Sequence, residues 1–314
     1  MEGRPFIIGS RSSKLAMTQT RYVMNELKKF HPSLDFEIMA IKTSGDAMPD
    51  AALSKLGEKA LFTKEIEDAL SQRHIDLAVH SMKDLPTKLP KGLIIAAVAK
   101  REDPRDALVS KQAFTIGTLP KGCRVGTSSS RRRAQLLHAR RDLNIVDLRG
   151  NVDTRIEKLR KGSYDAVILA HAGIKRLGLT LNLSVIPIEE MLPQAGQGAL
   201  GIEVREDSEE VKKLVKPLDD ADCHISVDAE REALAGLEGG CHVPIGVYAN
   251  IIKNKITIKA GVFSLDGKRA VKDEIMGLKK DAVSLGRQLA ERILKGEAAR
   301  RILDEVKEGI RRDP

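Results

Sequence analysis

Aromatic side chains are scarce in this sequence: six Phe, three Tyr and no Trp in 314 residues. Proteins that bind single-stranded nucleic acid stack bases on aromatic platforms, so that class starts weak. Long apolar runs are missing as well. The longest, Leu93 to Ala99, falls far short of the ~20 residues that a membrane-spanning helix needs. The opening MEGRPFIIGSRSSK has neither the basic stretch nor the apolar core of a secretory signal, which leads us to expect a cytoplasmic chain. Cysteines are few: Cys123, Cys223 and Cys241 cannot all pair with one another, and without a secretion signal they read as reduced thiols.

Apolar residues make up 42% of the chain and charged residues 31%. That composition supports a sizeable core, and the length suits two or three domains of roughly 100–150 residues. Basic residues outnumber acidic ones by 53 to 44, a net charge of +9, which points to an anionic partner.

Strands and helices alternate over most of the sequence, as in a sheet covered by helices. Phe6-Ile7-Ile8 reads as a strand, and Ala16, Thr20, Val23, Leu27 and Phe30 mark the buried face of a helix that His31-Pro32 ends. Phe36 to Ile41 and Ile75 to Val79 read as strands and Thr63 to Arg73 as a helix, with a long loop over 44–59. A second unit opens in the same way. Gly126-Thr127-Ser128-Ser129-Ser130 echoes Gly9-Ser10-Arg11-Ser12-Ser13 at an offset of 117 and leads into a helix over about 131–141. Residues 165–170 loosely echo 76–81. Charged 100–105 and glycine-rich 193–198 read as two crossings between these units, with Ile202-Glu203-Val204 a strand rejoining the first. The remainder reads as a helix over 227–237, three strands (243–251, 256–263 and 269–275) and two amphipathic helices. The expected fold is α/β: domain 1 over 1–100 and 198–217, domain 2 over 101–197, and a small α+β domain over 218–314.

Several motifs carry chemistry. Gly196-Gln197-Gly198-Ala199-Leu200-Gly201 matches G-x-G-x-x-G in letters, but a dinucleotide site needs a strand before it and a helix after it. Here the order is reversed, and a hinge is the better reading. Ser12-Ser13 and Thr127 to Ser130 sit where a strand feeds a helix, a place suited to anions, although such serines also serve as plain caps. Arginines concentrate in 124–160. Arginine suits a bidentate grip on carboxylate or phosphate; a solvated helix face is the plain alternative, to which Arg140 and Arg141 are assigned. Arg149 to Arg155 follows a strand and precedes a helix with Asp153 as expected N-cap. Asp84 lies beyond the buried strand, either as a turn former or as a carboxylate that stabilises a cation. Cys241 sits on a Gly-Gly loop, unlike a packed cysteine. Two Cys-His pairs, 223–224 and 241–242, lack the usual zinc spacing, so no metal is expected.

These residues together resemble the porphobilinogen deaminase (hydroxymethylbilane synthase) family over essentially the whole chain. The resemblance rests on Ile8 to Ala16, His80 to Thr87, Gly126 to Arg132, Leu148 to Arg155, Pro193 to Gly198 and Leu237 to Cys241, in that order. It implies two α/β domains like the halves of a type II periplasmic binding protein around a cleft, plus the small domain presenting the cysteine. It implies a transferase that joins porphobilinogen units into linear hydroxymethylbilane with loss of ammonia. A dipyrromethane cofactor would be held by a thioether to Cys241. Asp84 would be the catalytic carboxylate, stabilising the cationic azafulvene. Lys83, Asp84, Thr127, Ser128, Ser129, Arg131, Arg132 and Gly150 would bind the cofactor. Arg11, Ser13, Phe62, Arg149, Arg155 and Gln197 would bind substrate, and residues 46–59 would form a lid. Each porphobilinogen carries two carboxylates, so a growing chain demands the arginine density of 124–160. Porphobilinogen would be the partner, with no nucleic acid, no membrane and a monomeric protein. The rivals are a non-catalytic binding protein for a small polycarboxylate, which leaves the Gly-Gly-Cys loop unexplained, and a basic nucleic-acid binder, disfavoured by the few aromatics.

Overall fold

A computed structural model describes residues 4–44, 63–238 and 243–312. The expected loop over 44–59, together with Phe62, Gly239, Gly240, Cys241 and His242, lies outside them except for Ser44. The chain groups into two compact units. The first spans residues up to 102 and 198–224; the second, among the described residues, spans 103–197 and 225–312.

In the first unit, β1 (Phe6–Arg11), β2 (Phe36–Ile41), β3 (Leu77–Ser81), β4 (Leu93–Ala99) and β10 (Leu200–Arg205) form one sheet in the order β2-β1-β3-β10-β4. The first three run parallel, and β10 enters antiparallel between β3 and β4. Helix α1 (Lys14–Phe30) turns Val23 and Leu27 onto one face, against Ile8, Leu77 and Val204. Helix α2 (Lys64–Ser71) covers the other with Ile66 and Leu70, against Ile75 and Ala78.

The second unit holds two sheets. β5 (Asp106–Ser110), β6 (Arg124–Gly126), β7 (Asn144–Val146), β8 (Ala166–Ala170) and β9 (Leu183–Val185) pair in the order β7-β6-β8-β5-β9. Here too the strand that follows the crossing, β5, enters antiparallel next to the third member. The helices α3 (Ser130–Ala139), α4 (Val152–Arg160) and α5 (His171–Arg176) follow β6, β7 and β8. The two five-stranded sheets therefore share one strand order, and the faint echoes at 9/126 and 76/165 fall on matching strands. One hydrogen-bonding device recurs. Asp76, just before β3, donates its N–H to Ile7 O and accepts Ile7 N–H on its carboxylate, both at 2.8 Å. Asp165, just before β8, does the same with Arg124 at 2.9 and 2.8 Å.

Helix α6 (Glu209–Val215) belongs to the first unit, and α7 (Ala221–Gly236) leads from it into the second. Then β11 (Ile245–Ile252), β12 (Lys255–Phe263) and β13 (Ala270–Leu278) form an antiparallel sheet. Helices α8 (Ala282–Lys295) and α9 (Glu297–Arg312) pack on it through Leu289, Ile293, Ile302 and Val306. The mixed α/β class with a smaller α+β part is thus present.

Four local expectations need correction. Phe30, expected on the buried face of α1, is 53% exposed in its last turn. Helix α7 begins at Ala221 rather than Val227, because Asp220 Oδ1 accepts the Cys223 N–H at 2.9 Å and caps it. The N-cap of α4 is Asn151, with Asp153 inside the first turn. Arg140 is not on a solvated helix face. It lies past α3, binds Asp142 and donates to the carbonyls of Ile116, Gly117 and Leu119.

Candidate active site

In the first unit, parallel neighbours β1 and β3 bring two turns side by side at their C-terminal ends, where ligands collect in α/β sheets. Arg11 is half-buried at the end of β1. Ser13 caps α1 by accepting the Ala16 N–H at 3.3 Å. After β3, Met82–Asp84 form a single 3-10 turn. Met82 is buried, while Lys83 and Asp84 are half-buried. No described residue hydrogen-bonds the Asp84 carboxylate, so its oxygens are available to a ligand.

In the second unit, the turns after β6 and β7 are stitched together. The Ser128 hydroxyl donates to Leu148 O at 2.8 Å and accepts the Leu148 N–H at 3.1 Å. Buried Thr127 accepts the Ser129 N–H at 3.2 Å, and Ser129 caps α3. The plain capping reading thus describes part of the serine turn. Three donors of this unit are left over: Ser130 Oγ, Arg131 Nε and Arg149 Nη1 are shut from water without a hydrogen-bond partner. Gly150 has φ +107°, and a Cβ there would stand 2.8 Å from the Thr154 side chain. Its carbonyl accepts from Arg155 Nε at 2.6 Å, which anchors one side of that guanidinium.

Arg131 and Arg132, expected to bind the cofactor, are engaged within the protein. Both are buried and share Asp106 at the head of β5: Arg131 Nη2 lies 2.8 Å from Oδ2 and Arg132 Nη2 2.7 Å from Oδ1. Arg131 also donates to Leu192 O and Arg132 to Ile168 O. Gln197 joins them, donating from Nε2 to Asp106 Oδ1 at 2.9 Å and to Pro104 O at 2.8 Å. Burial alone would raise the Asp106 carboxyl, but the two guanidinium charges outweigh it and hold the carboxyl well below the usual range. Asp106 escaped the sequence reading. The available signal was a charge opening the apolar run Ala107-Leu108-Val109 in a segment already rich in arginine.

The family model described as "Porphobilinogen deaminase, dipyromethane cofactor binding domain" matches residues 6–213. The chain belongs to the porphobilinogen deaminase family. A second model, the C-terminal domain of porphobilinogen deaminase, matches residues 224–295. The porphobilinogen deaminase of Brevibacillus brevis is 49% identical over 95% of this chain and 96% of its own. That of Desulforamulus reducens is 46% identical over 96% and 98%. Among solved structures, the periplasmic aliphatic sulphonate binding protein SsuA of Escherichia coli aligns at 17% identity and a TM-score of 0.40, over 74% of this chain and 70% of that one.

The porphobilinogen deaminase cofactor is a dipyrromethane carrying carboxylate side chains. The donor set fits such a group: Ser130 Oγ and Arg149 Nη1 are buried donors without partners, at the C-terminal ends of neighbouring strands. Among the described residues no group of three His, Cys, Asp or Glu side chains could hold a metal ion. No described helix is long and apolar enough to cross a membrane.

Proposed function

We propose that this chain joins porphobilinogen units head to tail into linear hydroxymethylbilane, releasing ammonia at each addition, as a transferase with a dipyrromethane cofactor. The observation that carries the reading is the cofactor-binding domain model, matched over residues 6–213. The relatives named for the enzyme favour it over a non-catalytic binding protein.

When bound, the dipyrromethane supplies the pyrrole end to which the first substrate ring is joined. The chain's own residues do the rest. Asp84 presents a carboxylate free of described partners to the substrate pyrrole, stabilising the positive charge that develops as the amino group leaves. Lys83 beside it, with Thr127, Ser128, Ser129, Arg131, Arg132 and Gly150, binds the cofactor. Ser128 and Gly150 act through the turn they build, and Arg131 and Arg132 through the Asp106 cluster at the base of α3. Arg149, with Arg155, Arg11, Ser13, Gln197 and Phe62, receives substrate carboxylates and ring. Cys241 carries the cofactor through a thioether. The chain is organised as 1–100 with 198–217, 101–197, and 218–314, the boundaries falling near breaks between the three sheets. It works as a cytoplasmic monomer and binds no nucleic acid.

The test is mass spectrometry of purified protein under reductant. The expected mass exceeds that of the sequence by two linked pyrrole units, on the peptide containing Cys241, with Cys123 and Cys223 still alkylatable after unfolding. Cys241→Ser should show neither adduct nor activity, and no colour with Ehrlich's reagent. An unmodified, fully active wild-type protein would refute the cofactor attachment.

A further inference from the structure

The interior of the first unit holds a polar cluster that the function above does not use. His80, buried on β3, stands four residues ahead of Asp84. Its Nε2 lies 2.9 Å from Oε2 of Glu203, which is 0% exposed on β10. On the paired strands Glu203 is opposite Ala78 and Gly201 opposite His80, so the contact runs diagonally across the ladder. Glu67 on α2 is buried close by. Burial pushes its carboxyl up, and repulsion from Glu203 adds to the rise. One oxygen of Glu67 and one of Glu203 are shut from water without a hydrogen-bond partner.

A buried Glu–His pair is a poor means of holding a core together, because apolar side chains of similar volume generally do as well or better. Its location suggests another use. β3 ends one residue after His80. The Met82–Asp84 turn that follows is closed by Met82 N–H to Ala199 O at 3.1 Å and by a long 3.4 Å bond from Leu85 N–H to Met82 O. The His80–Glu203 bond ties the strand end to β10 immediately upstream of that turn.

We infer that Glu203, acting through His80, is a positioning residue for the Asp84 turn. The inference rests on the role given to Asp84 above, and its test reads the turn and the chemistry separately.

The experiment uses cofactor-loaded enzyme. Glu203→Leu removes the bond, Glu203→Gln keeps an acceptor for it without the charge, and Val211→Ala, a core truncation on α6, serves as the control for lost stability. In Glu203→Leu, kcat per loaded molecule should fall about 10- to 100-fold with KM within about twofold of wild type, the signature of a displaced reacting group. The Leu85 amide should exchange with solvent at least about tenfold faster, reporting local opening of the turn. Glu203→Gln should recover most of both losses, and Val211→Ala should show neither. Should Glu203→Leu fail to fold, the double variant Glu203→Leu/His80→Phe replaces the pair by apolar groups and carries the same readouts. Unchanged Leu85 exchange and turnover in Glu203→Leu, or equal losses in Val211→Ala, would overturn the inference. Fast Leu85 exchange with wild-type turnover would uphold the positioning and overturn the catalytic role of Asp84.

Discussion

Two aspartates behave in opposite ways. Asp84 is half-buried with no described residue bonded to its carboxylate, whereas Asp106 is enclosed by Arg131, Arg132 and Gln197. The first leaves its carboxylate open, as the proposed catalytic role requires, and the second fixes the protein's own cations. Asp84→Asn keeps the shape and removes the charge, so turnover of the loaded enzyme should drop about 10²–10³-fold. Cofactor mass should be retained, and Asp84→Glu should keep part of the activity; single-turnover kinetics on mass-verified protein checks this. Asp106→Ala should instead cost about 3–5 kcal/mol of stability, since it strands two buried guanidinium groups. Its pH dependence follows from the depressed native carboxyl. The stabilisation is fully present above the unfolded value of about 4 and is lost as pH falls from there through the lower native value. Denaturant titrations between neutral and acid pH should show wild type losing more stability than Asp106→Asn.

Among the elements, the turn after β7 decides the geometry of two arginines at once. Gly150 at φ +107° leaves no room for a Cβ beside Thr154, and its carbonyl holds Arg155. Gly150→Ala should therefore cost about 1–3 kcal/mol in backbone strain. It should also raise KM, because Arg149 and Arg155 shift with the turn; thermal melting and steady-state kinetics read the two effects. The cap of α7 is a simpler case. Asp220→Ala removes the acceptor of the Cys223 N–H and should cost about 1 kcal/mol, with no change in turnover per loaded molecule.

Across the whole molecule, two five-stranded sheets of one strand order place their Ser-rich turns at the same end of equivalent strands. The arginine-rich turns of the second unit hold donors, Ser130 Oγ and Arg149 Nη1, that the protein itself does not satisfy. A buried unsatisfied donor is destabilising, and a group that binds the folded state alone raises stability. Loading should therefore raise the melting midpoint. Calorimetry of unloaded protein before and after incubation with porphobilinogen checks this, and Cys241→Ser should show no lasting shift after the substrate is washed away.

Much of the site was legible as local chemistry. The strand-to-helix turns at 9–13 and 126–130, the Asp84 turn and the Arg149–Arg155 loop are each written in a few consecutive residues, whose backbone needs show in their glycines, serines and prolines. Helix α1 was legible because its apolar face repeats over 17 residues. The strands Leu93–Ala99 and Asp106–Ser110 were not assigned, because short apolar runs carry no periodicity that separates strand from buried helix. Which side chains meet was decided only by the tertiary structure. Asp106 reaches Gln197 across 91 positions and His80 reaches Glu203 across 123. Both contacts depend on antiparallel strands entering parallel sheets from distant parts of the chain. A carboxylate at the head of a buried strand looks the same in sequence whether it faces a ligand or two arginines; strand register and burial make the choice.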